Sequence, residues 1–186
     1  MESKNTTVLN LLGGAGIGKS TAASAIFALL KMHNVECDIV AEFAKDLVWE
    51  ERHNILFDNQ EYIFGEQYRR LWRVNKKIDV AIMECPLILG VTYGKYYNVM
   101  TETYANSVVE IINRFNNLNI VLKRKFNYNP NGRMHTEEEA KTIDNVIIKT
   151  LVDYNMPYVE VLCDIDGINN IVKMILNEEP KFKLTM

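Results

Sequence analysis

The segment that most constrains the fold is a glycine-rich stretch near the start of the chain, G-G-A-G-I-G-K-S at residues 13–20. It fits the pattern GxxxxGK[ST] and has the context that this pattern requires, because an apolar strand at 8–12 precedes it and a helical pattern at 19–33 follows. Glycines let the backbone turn tightly, so that its N–H groups and the helix N-terminus surround an anion. The sequence therefore predicts a strand–loop–helix unit that binds a nucleoside triphosphate.

Different residues of this loop are predicted to bind different parts of ATP and Mg²⁺. Lys19 is predicted to be catalytic, because its ammonium would lie on the β- and γ-phosphates. Ser20 would offer its hydroxyl to Mg²⁺, and Thr21 is within reach of the α-phosphate. The predicted ATP contacts are Gly13, Gly14, Ala15, Gly16, Ile17, Gly18, Lys19, Ser20 and Thr21.

Short apolar runs alternate with helical patterns along the rest of the chain. Further strands are predicted at 38–41, 79–83, 119–122 and 158–162, and further helices at 43–53, 62–75, 103–115, 136–153 and 168–177. Several strands lack polar alternation, as expected when both faces of a sheet are covered. The pattern predicts an α/β protein with the three-layer P-loop NTPase fold, in which helices cover both faces of a five-stranded, mainly parallel sheet.

Composition and charge indicate the number of domains, the kind of partner and the compartment of the protein. Its 186 residues suit one domain, 1–186, ending in a tail at 179–186, and the net charge of −3 gives no support to a dedicated duplex-binding domain. Three cysteines without a CxxC pair predict buried free thiols, which are typical of a reducing cytosol. No apolar stretch approaches the about 18 residues that span a bilayer, so we expect a cytoplasmic protein without a membrane segment, in a bacterium or a phage-infected host.

Two carboxylates follow predicted strands, and ligands of parallel sheets bind beyond the carboxyl ends of the strands. Glu42 follows the second strand and Glu84 the third. A kinase that acts on a hydroxyl needs one carboxylate to orient the acceptor and take its proton, and another acidic group near the metal. We predict the first role for Glu42 and the second for Glu84, together with Ser20. The two roles remain interchangeable on sequence alone.

The helix at 62–75 mixes aromatic and polar residues that suit contact with an acceptor. Gln67 can form two hydrogen bonds to a base edge, Tyr62 can stack on a ring, and Arg70 can pair with a phosphate or a carboxylate. The alternative is an amphipathic helix whose aromatics are core and whose arginines lie on the surface.

A basic segment, K-R-K-F-N-Y-N-P-N-G-R at 123–133, separates the fourth strand from an acidic helix start. Thr136 and Glu139 have the spacing of a capping box. Mobile backbone with arginines is what a closing lid needs, so we predict a lid at about 123–136 with Arg124 and Arg133 as catalytic residues. The alternative is a solvated surface loop. His135 receives no role.

In this order, the motifs resemble the P-loop nucleoside and nucleotide kinase superfamily. The chain is similar to the deoxynucleoside and thymidylate kinase group, to the nicotinamide ribonucleoside kinase domain of bacterial NAD-salvage proteins and to phage-encoded P-loop kinases, over roughly residues 6–177. The resemblance implies ATP on the loop, an acceptor-facing carboxylate at Glu42, a base contact at Gln67 and lid arginines. Deoxynucleoside kinases usually have proline after the first carboxylate and arginine after the second, whereas this chain has Phe43 and Cys85-Pro86, which is nearer the salvage-kinase pattern.

The sequence thus predicts an ATP- and Mg²⁺-dependent kinase that phosphorylates a hydroxyl or phosphate of a small nucleoside, nucleotide or related acceptor. One alternative keeps this chemistry but acts on a hydroxymethylated base in phage DNA, of the 5-hydroxymethyluracil type, and rests on the basic residues at 69–73 and 123–133. Another is an ATP-dependent switch without kinase activity. Association into a homodimer is left open.

Overall fold

A computed structural model describes residues 4–125, 127–129 and 134–185. Its sheet has five strands in the order β2-β3-β1-β4-β5, and all four strand pairs are parallel. The strands are β1 (Thr7–Leu12), β2 (Cys37–Val40), β3 (Val80–Met83), β4 (Asn116–Lys123) and β5 (Val159–Leu162). The helices are α1 (Lys19–Met32), α2 (Phe43–Trp49), α3 (His53–Asp58), α4 (Gln60–Val74), α5 (Ile88–Tyr96), α6 (Glu102–Ile112), α7 (Glu137–Asp153) and α8 (Ile165–Leu176).

The central strand β1 divides the core into two layers. Val8 and Leu12 point into one apolar cluster, which the helices α4 to α7 complete. Leu9 and Leu11 point into the other, which α1 and α8 complete. This alternation follows from the period of two along a strand and buries both faces of the sheet. The predicted three-layer α/β architecture is therefore confirmed.

The fourth strand is longer than its apolar run predicted. Asn116, Asn117 and Asn119 belong to it, although asparagine is uncommon in strands. The amide of Asn10 on β1 donates to Asn117 at 3.0 Å and to the buried Asn119 at 2.8 Å. Because these amides satisfy one another across two strands, polar residues extend β4 back to Asn116, before the predicted start of the strand at residue 119.

Two helical segments also differ from their predictions. The predicted helix at 43–53 is shorter in the structure, since α2 ends at Trp49 and Glu51 has a positive φ of 58°. The helix α3, which begins at His53, was not predicted. The helix α5 was not predicted, because most of its residues are buried and it contains Gly90 and Gly94, so it lacks the polar face that marks a surface helix. This helix brings Tyr93 and Tyr97 to the site described below.

Hydrogen bonds fix the start of α7 and the C-terminal segment that follows α8. The capping box is confirmed: Thr136 accepts from the backbone of Glu139 at 3.2 Å, and the Glu139 carboxylate accepts from that of Thr136 at 2.7 Å. Residues 181–185 pack on the fold, since Asn169 exchanges two hydrogen bonds with the backbone of Leu184 and His33 accepts from that of Phe182.

All three cysteines are free and buried. Among the described helices, none is long and apolar enough to cross a bilayer.

Candidate active site

The phosphate loop has the backbone that its glycines predict. Gly16 has φ +79° and Gly18 has φ +105°, a left-handed region that L side chains rarely adopt. Gly18 precedes α1, whose first turn contains no acidic residue. Ile17 is buried and anchors the loop in the core. The N-terminus of α1 therefore faces the loop with its positive end uncompensated by a carboxylate in its own first turn, which suits an anionic ligand.

Lys19 lies across the loop. Its Nζ donates to the carbonyl oxygen of Gly13 at 2.7 Å and to that of Gly14 at 3.2 Å. These contacts hold the ammonium at the mouth of the loop, where it can exchange carbonyl oxygens for phosphate oxygens. Ser20 and Thr21 are exposed on the first turn of α1.

A cavity of about 290 Å³ begins at this loop. Residues 15–21 of the loop and the first turn of α1 line it, together with residues of helices α2, α3, α4 and α5. The remaining lining residues are Glu42, Ala44, Lys45, Val48, Trp49, Leu56, Phe57, Gln60, Ile63, Cys85, Leu89, Gly90, Tyr93, Tyr97, Met134 and His135. The lining thus combines the glycine backbone and hydroxyls of the loop with aromatic and aliphatic side chains.

Glu42 lines this cavity and precedes α2 as its N-cap residue. The backbone on both sides of it is held by α4. Gln67 donates to the Ala41 carbonyl oxygen at 3.2 Å and accepts from the Phe43 N–H at 3.0 Å. Arg70 donates to the same carbonyl at 3.3 Å. Glu42 is therefore a carboxylate whose main chain is fixed while its side chain faces the cavity.

The residues predicted to contact the acceptor base lie elsewhere. Gln67 is 2% exposed, and its amide binds backbone. Arg70 pairs with Asp46 at 2.7 Å and lies over the ring of Phe43, and Tyr62 packs edge-on against that ring. Neither Gln67, Arg70 nor Tyr62 lines the cavity. Their acceptor contacts stay a prediction that this arrangement does not support, and the amphipathic-helix alternative fits α4 better.

The other predicted carboxylate, Glu84, follows β3 and is half-buried. It is not among the residues that line the cavity, but its neighbour Cys85 is. Burial raises the pKa of the Cys85 thiol, and Glu42, Lys19 and Glu84 all act on it electrostatically. The three predicted residues therefore surround one thiol at the carboxyl edge of the sheet, where a parallel sheet brings its strand ends together.

An aromatic wall, formed by Tyr93, Tyr97 and His135, lines part of the cavity. His135 stacks on Tyr93 at a centroid distance of 5.9 Å and on Tyr97 at 6.2 Å. Burial lowers the pKa of His135 and raises that of Tyr97 to about 12, so both are neutral near pH 7. The Tyr97 hydroxyl lies 2.6 Å from Nε2 of His135 and forms a hydrogen bond with it.

Sequence reasoning missed this wall. The i, i+4 spacing of Tyr93 and Tyr97 places both rings on one face of a helix, and it was a usable signal once that helix was recognised. No local pattern marks His135, which reaches the wall from the far end of the predicted lid.

The three basic residues at the start of the predicted lid are ion-paired with the body of the protein. Lys123 pairs with Glu160 at 2.8 Å, Arg124 with Asp144 at 2.7 Å and Lys125 with Asp164 at 2.8 Å. Arg124 also donates to the carbonyl oxygen of Ala15 in the phosphate loop at 2.8 Å. The other predicted lid arginine, Arg133, lies outside the described residues.

Comparisons with solved structures agree with this fold. NadR in complex with NR matches with a TM-score of 0.60 at 16% identity, over 98% of this chain and 54% of that one. NadR in complex with NAD and AMP-PNP gives 0.58 at 15%, over 98% and 51%. Deoxyadenosine kinase from M. mycoides with bound dATP gives 0.57 at 16%, over 93% and 100%. The chain spans about half the length of the NadR chains it matches.

No curated protein matches the sequence significantly. The family described as "AAA domain" matches residues 8–166, which include the phosphate loop and all five strands. The chain therefore belongs to this AAA domain family, and its fold is the three-layer P-loop NTPase fold that the sequence predicted.

Proposed function

We propose that this protein is an ATP- and Mg²⁺-dependent kinase that transfers the γ-phosphoryl group to a hydroxyl of a nucleoside-like acceptor. The observation that carries the proposal is a single cavity whose lining includes the phosphate loop, the aromatic wall and Glu42. A ring stacked on the wall and a triphosphate on the loop would place their reacting ends beside this carboxylate.

The lining of the cavity favours an acceptor with a flat, uncharged ring. Tyr93, Tyr97 and Phe57 offer apolar faces, and His135 is neutral near pH 7. Aromatic side chains stack on any ring of similar size, while a few polar groups fix its orientation. Gln60, which lines the cavity and whose amide already donates to the Leu56 carbonyl, is a polar group of this kind.

The charges favour a nucleoside over a nucleotide. Among the described residues, the lysine and arginine side chains that line the cavity are Lys19, which the loop holds, and the exposed Lys45. Phosphate recognition usually relies on arginines, whose donors match phosphate oxygens in pairs. The arginines of α4 are engaged by carboxylates instead: Arg69 by Glu66, Arg70 by Asp46 and Arg73 by Asp38. We therefore assign transfer to a hydroxyl and not to a phosphate.

Glu42 is the proposed general base. The acceptor oxygen forms a bond to the γ-phosphorus, the bond from that phosphorus to the bridging oxygen of ADP breaks, and the hydroxyl proton passes to the carboxylate. Lys19 would stabilise negative charge on the transferring group. The aromatic wall would exclude water and so limit hydrolysis of ATP.

The donor set at the loop fits Mg²⁺, which prefers oxygen ligands. The Ser20 hydroxyl lines the cavity, and the Glu84 carboxylate follows the strand next to β1. Ser20 would hold the ion directly and Glu84 through water. When bound with ATP, Mg²⁺ would neutralise charge on the β- and γ-phosphates.

The ion pairs of the described basic residues weigh against the DNA-directed alternative. It rested on basic residues at 69–73 and 123–133, and the described ones are paired with carboxylates of the same chain. A binding surface for duplex backbone needs cations that phosphates can engage. No specific contact supports the switch alternative.

An acceptor screen with γ-labelled ATP tests the proposal. It should compare nucleosides, nicotinamide riboside, the matching mononucleotides and an oligonucleotide containing 5-hydroxymethyluracil. We expect label on one or more nucleosides and none on the mononucleotides or the oligonucleotide. Tight ATP binding without transfer to any acceptor would favour the switch alternative, and label on the oligonucleotide would favour the DNA-directed one.

A further inference from the structure

Asp144 on α7 contacts the phosphate loop from outside the proposed reaction centre. Its Oδ1 accepts from the backbone N–H of Gly14 at 2.6 Å, and its Oδ2 accepts from Nε of Arg124 at 2.7 Å. Its side chain is 21% exposed. A carboxylate thus uses one of the loop N–H donors that an anionic ligand would otherwise approach.

The close approach of α7 depends on the glycine in the loop. A Cβ at Gly14 would lie 2.5 Å from the Ala140 carbonyl oxygen, 3.0 Å from the Asp144 carboxylate and 3.1 Å from Nη2 of Arg124. The first distance is to backbone, which has little freedom to move. The absence of a side chain at position 14 therefore allows helix, carboxylate and guanidinium to meet at one point of the loop.

Arg124 is held at this point by two of its three nitrogens. Nε binds Asp144, and Nη1 donates to the Ala15 carbonyl oxygen at 2.8 Å. Nη2 is buried and finds no hydrogen-bond acceptor among residues 4–125, 127–129 and 134–185. A buried N–H group without an acceptor is unfavourable, so its presence beside an anion-binding loop indicates a ligand atom that completes it.

We infer that Asp144 is a positioning residue: it aligns Arg124 along the loop so that Nη2 meets the γ-phosphoryl group of ATP while that group is being transferred, a contact that raises kcat rather than ATP affinity. This inference rests on the proposed function. The same carboxylate repels the triphosphate, because it brings negative charge to the loop. Asp144 therefore weakens ATP binding while it raises the rate of transfer.

The variant Asp144→Asn separates the two effects. The asparagine amide retains the oxygen that accepts from Gly14, but its NH₂ group cannot accept from Nε of Arg124, and the negative charge is gone. We expect the Kd of Mg·ATP to fall by roughly 3- to 10-fold, because one like charge leaves the edge of the anion site. We expect kcat to fall by about 100-fold, because the guanidinium is misplaced.

Calorimetric titration with Mg·ATP gives the Kd, and initial rates with the best acceptor give kcat. Asp153→Asn is the matched control, since Asp153 lies on the same helix in an exposed pair with Lys149 and should change neither quantity. Arg124→Lys keeps the charge but loses the guanidinium, so it should lower kcat as far as Asp144→Asn does. The double variant should be no slower than either single one.

An unchanged or raised Kd in Asp144→Asn would overturn the inference, and so would independent, multiplicative losses of kcat in the double variant.

A third measurement does not need an acceptor: the Nε–H resonance of Arg124 in ¹⁵N spectra should shift on Mg·ATP binding and lose its protection from exchange in Asp144→Asn. If the wild type binds ATP but transfers to no acceptor, the proposed function fails, while the Kd and this resonance still decide the role of Asp144. If Asp144→Asn does not fold, Arg124→Lys carries the test, and unchanged kcat would overturn the inference.

Discussion

The side chain of Gln67 accepts a hydrogen bond from the backbone N–H of Phe43 at 3.0 Å, and this bond fixes the chain directly after Glu42. The amide end of the same side chain binds the carbonyl oxygen directly before Glu42. Gln67 thereby holds the backbone on both sides of Glu42, the proposed base. A residue that resembled a base reader in sequence acts here as a support for the carboxylate.

Gln67→Leu should lower kcat without affecting ATP affinity. Leucine fills similar space but leaves the Ala41 and Phe43 backbone groups without their partner, so Glu42 can move. A displacement of this kind lowers kcat by about 10- to 100-fold. The loss should be equal for acceptors with different bases, measured as kcat and KM for two nucleosides. A loss confined to KM and to one base would instead restore the base-reading role, and Glu66→Gln on the same helix is the surface control.

Glu42→Gln should abolish most transfer while ATP still binds. The amide has nearly the same shape but cannot take the acceptor proton, so kcat should fall by about 100-fold or more. Titration with Mg·ATP should give the wild-type Kd, with the exposed Glu50→Gln as the control. Combining it with Gln67→Leu should add little, because the second change acts through the first residue. Loss of ATP binding in Glu42→Gln would show that the roles of Glu42 and Glu84 are exchanged.

Lys19→Ala should remove the stabilisation that ATP gives to the folded protein. A ligand present at 100 times its Kd stabilises the folded state by about 2.7 kcal/mol. Without the ammonium on the phosphates, the melting temperature should no longer rise when Mg·ATP is added, whereas the wild type and Lys31→Ala, on the same helix, should keep the increase. A wild-type response in Lys19→Ala would contradict the assignment of the phosphate loop.

Trp49 should report acceptor binding by fluorescence. It lines the cavity, whereas the other tryptophan, Trp72, does not. A ring that binds against the aromatic wall should change the emission of Trp49, so titration with a nucleoside should give a signal in the wild type and in Trp72→Phe. The signal should vanish in Trp49→Phe. If it vanished in Trp72→Phe, the acceptor would have to bind near α4.

Local chemistry made the phosphate loop and the sheet predictable. The loop needs glycine at left-handed positions and lysine at a fixed distance from them, so a short pattern specifies it. Glu42 and Glu84 were found because parallel strands end at one edge of the sheet. These features depend on neighbours in sequence or on the topology of the fold.

The rest of the site depends on contacts between distant segments. Gln67 has the same amide whether it binds a base or backbone, and only the packing of α4 against the end of β2 decides between them. The pairing of Arg124 with Asp144 joins residues 20 positions apart across a helix cap. His135 is held at the cavity by stacking on two tyrosines, Tyr93 and Tyr97. The sequence did not reveal α5, because this helix contains glycines and lacks a polar face.

The stability of the protein should fall as pH decreases from about 6.5, and His135 should account for part of this loss. Burial against Tyr93, Tyr96 and Tyr97 lowers its folded-state pKa below the ordinary 6.5, while Glu139 opposes the shift. Below pH 6.5 the unfolded chain therefore binds a proton that the folded chain does not, and the free energy of unfolding decreases until the folded pKa is reached.

His135→Phe tests this dependence, because phenylalanine keeps a ring on the wall but cannot titrate. Urea unfolding at pH 7.5 and pH 5.5 gives the free energy of unfolding at both values. The variant should be less stable than the wild type at pH 7.5, where the hydrogen bond with Tyr97 is lost, and the difference should shrink at pH 5.5. Carboxylates whose pKa is lowered, such as Glu139, also stabilise the fold, but this stabilisation is lost mainly below their ordinary pKa of 4.5, and in both proteins. A difference that stays constant between the two pH values would show that His135 has the same pKa in the folded and the unfolded chain, and that burial does not lower it.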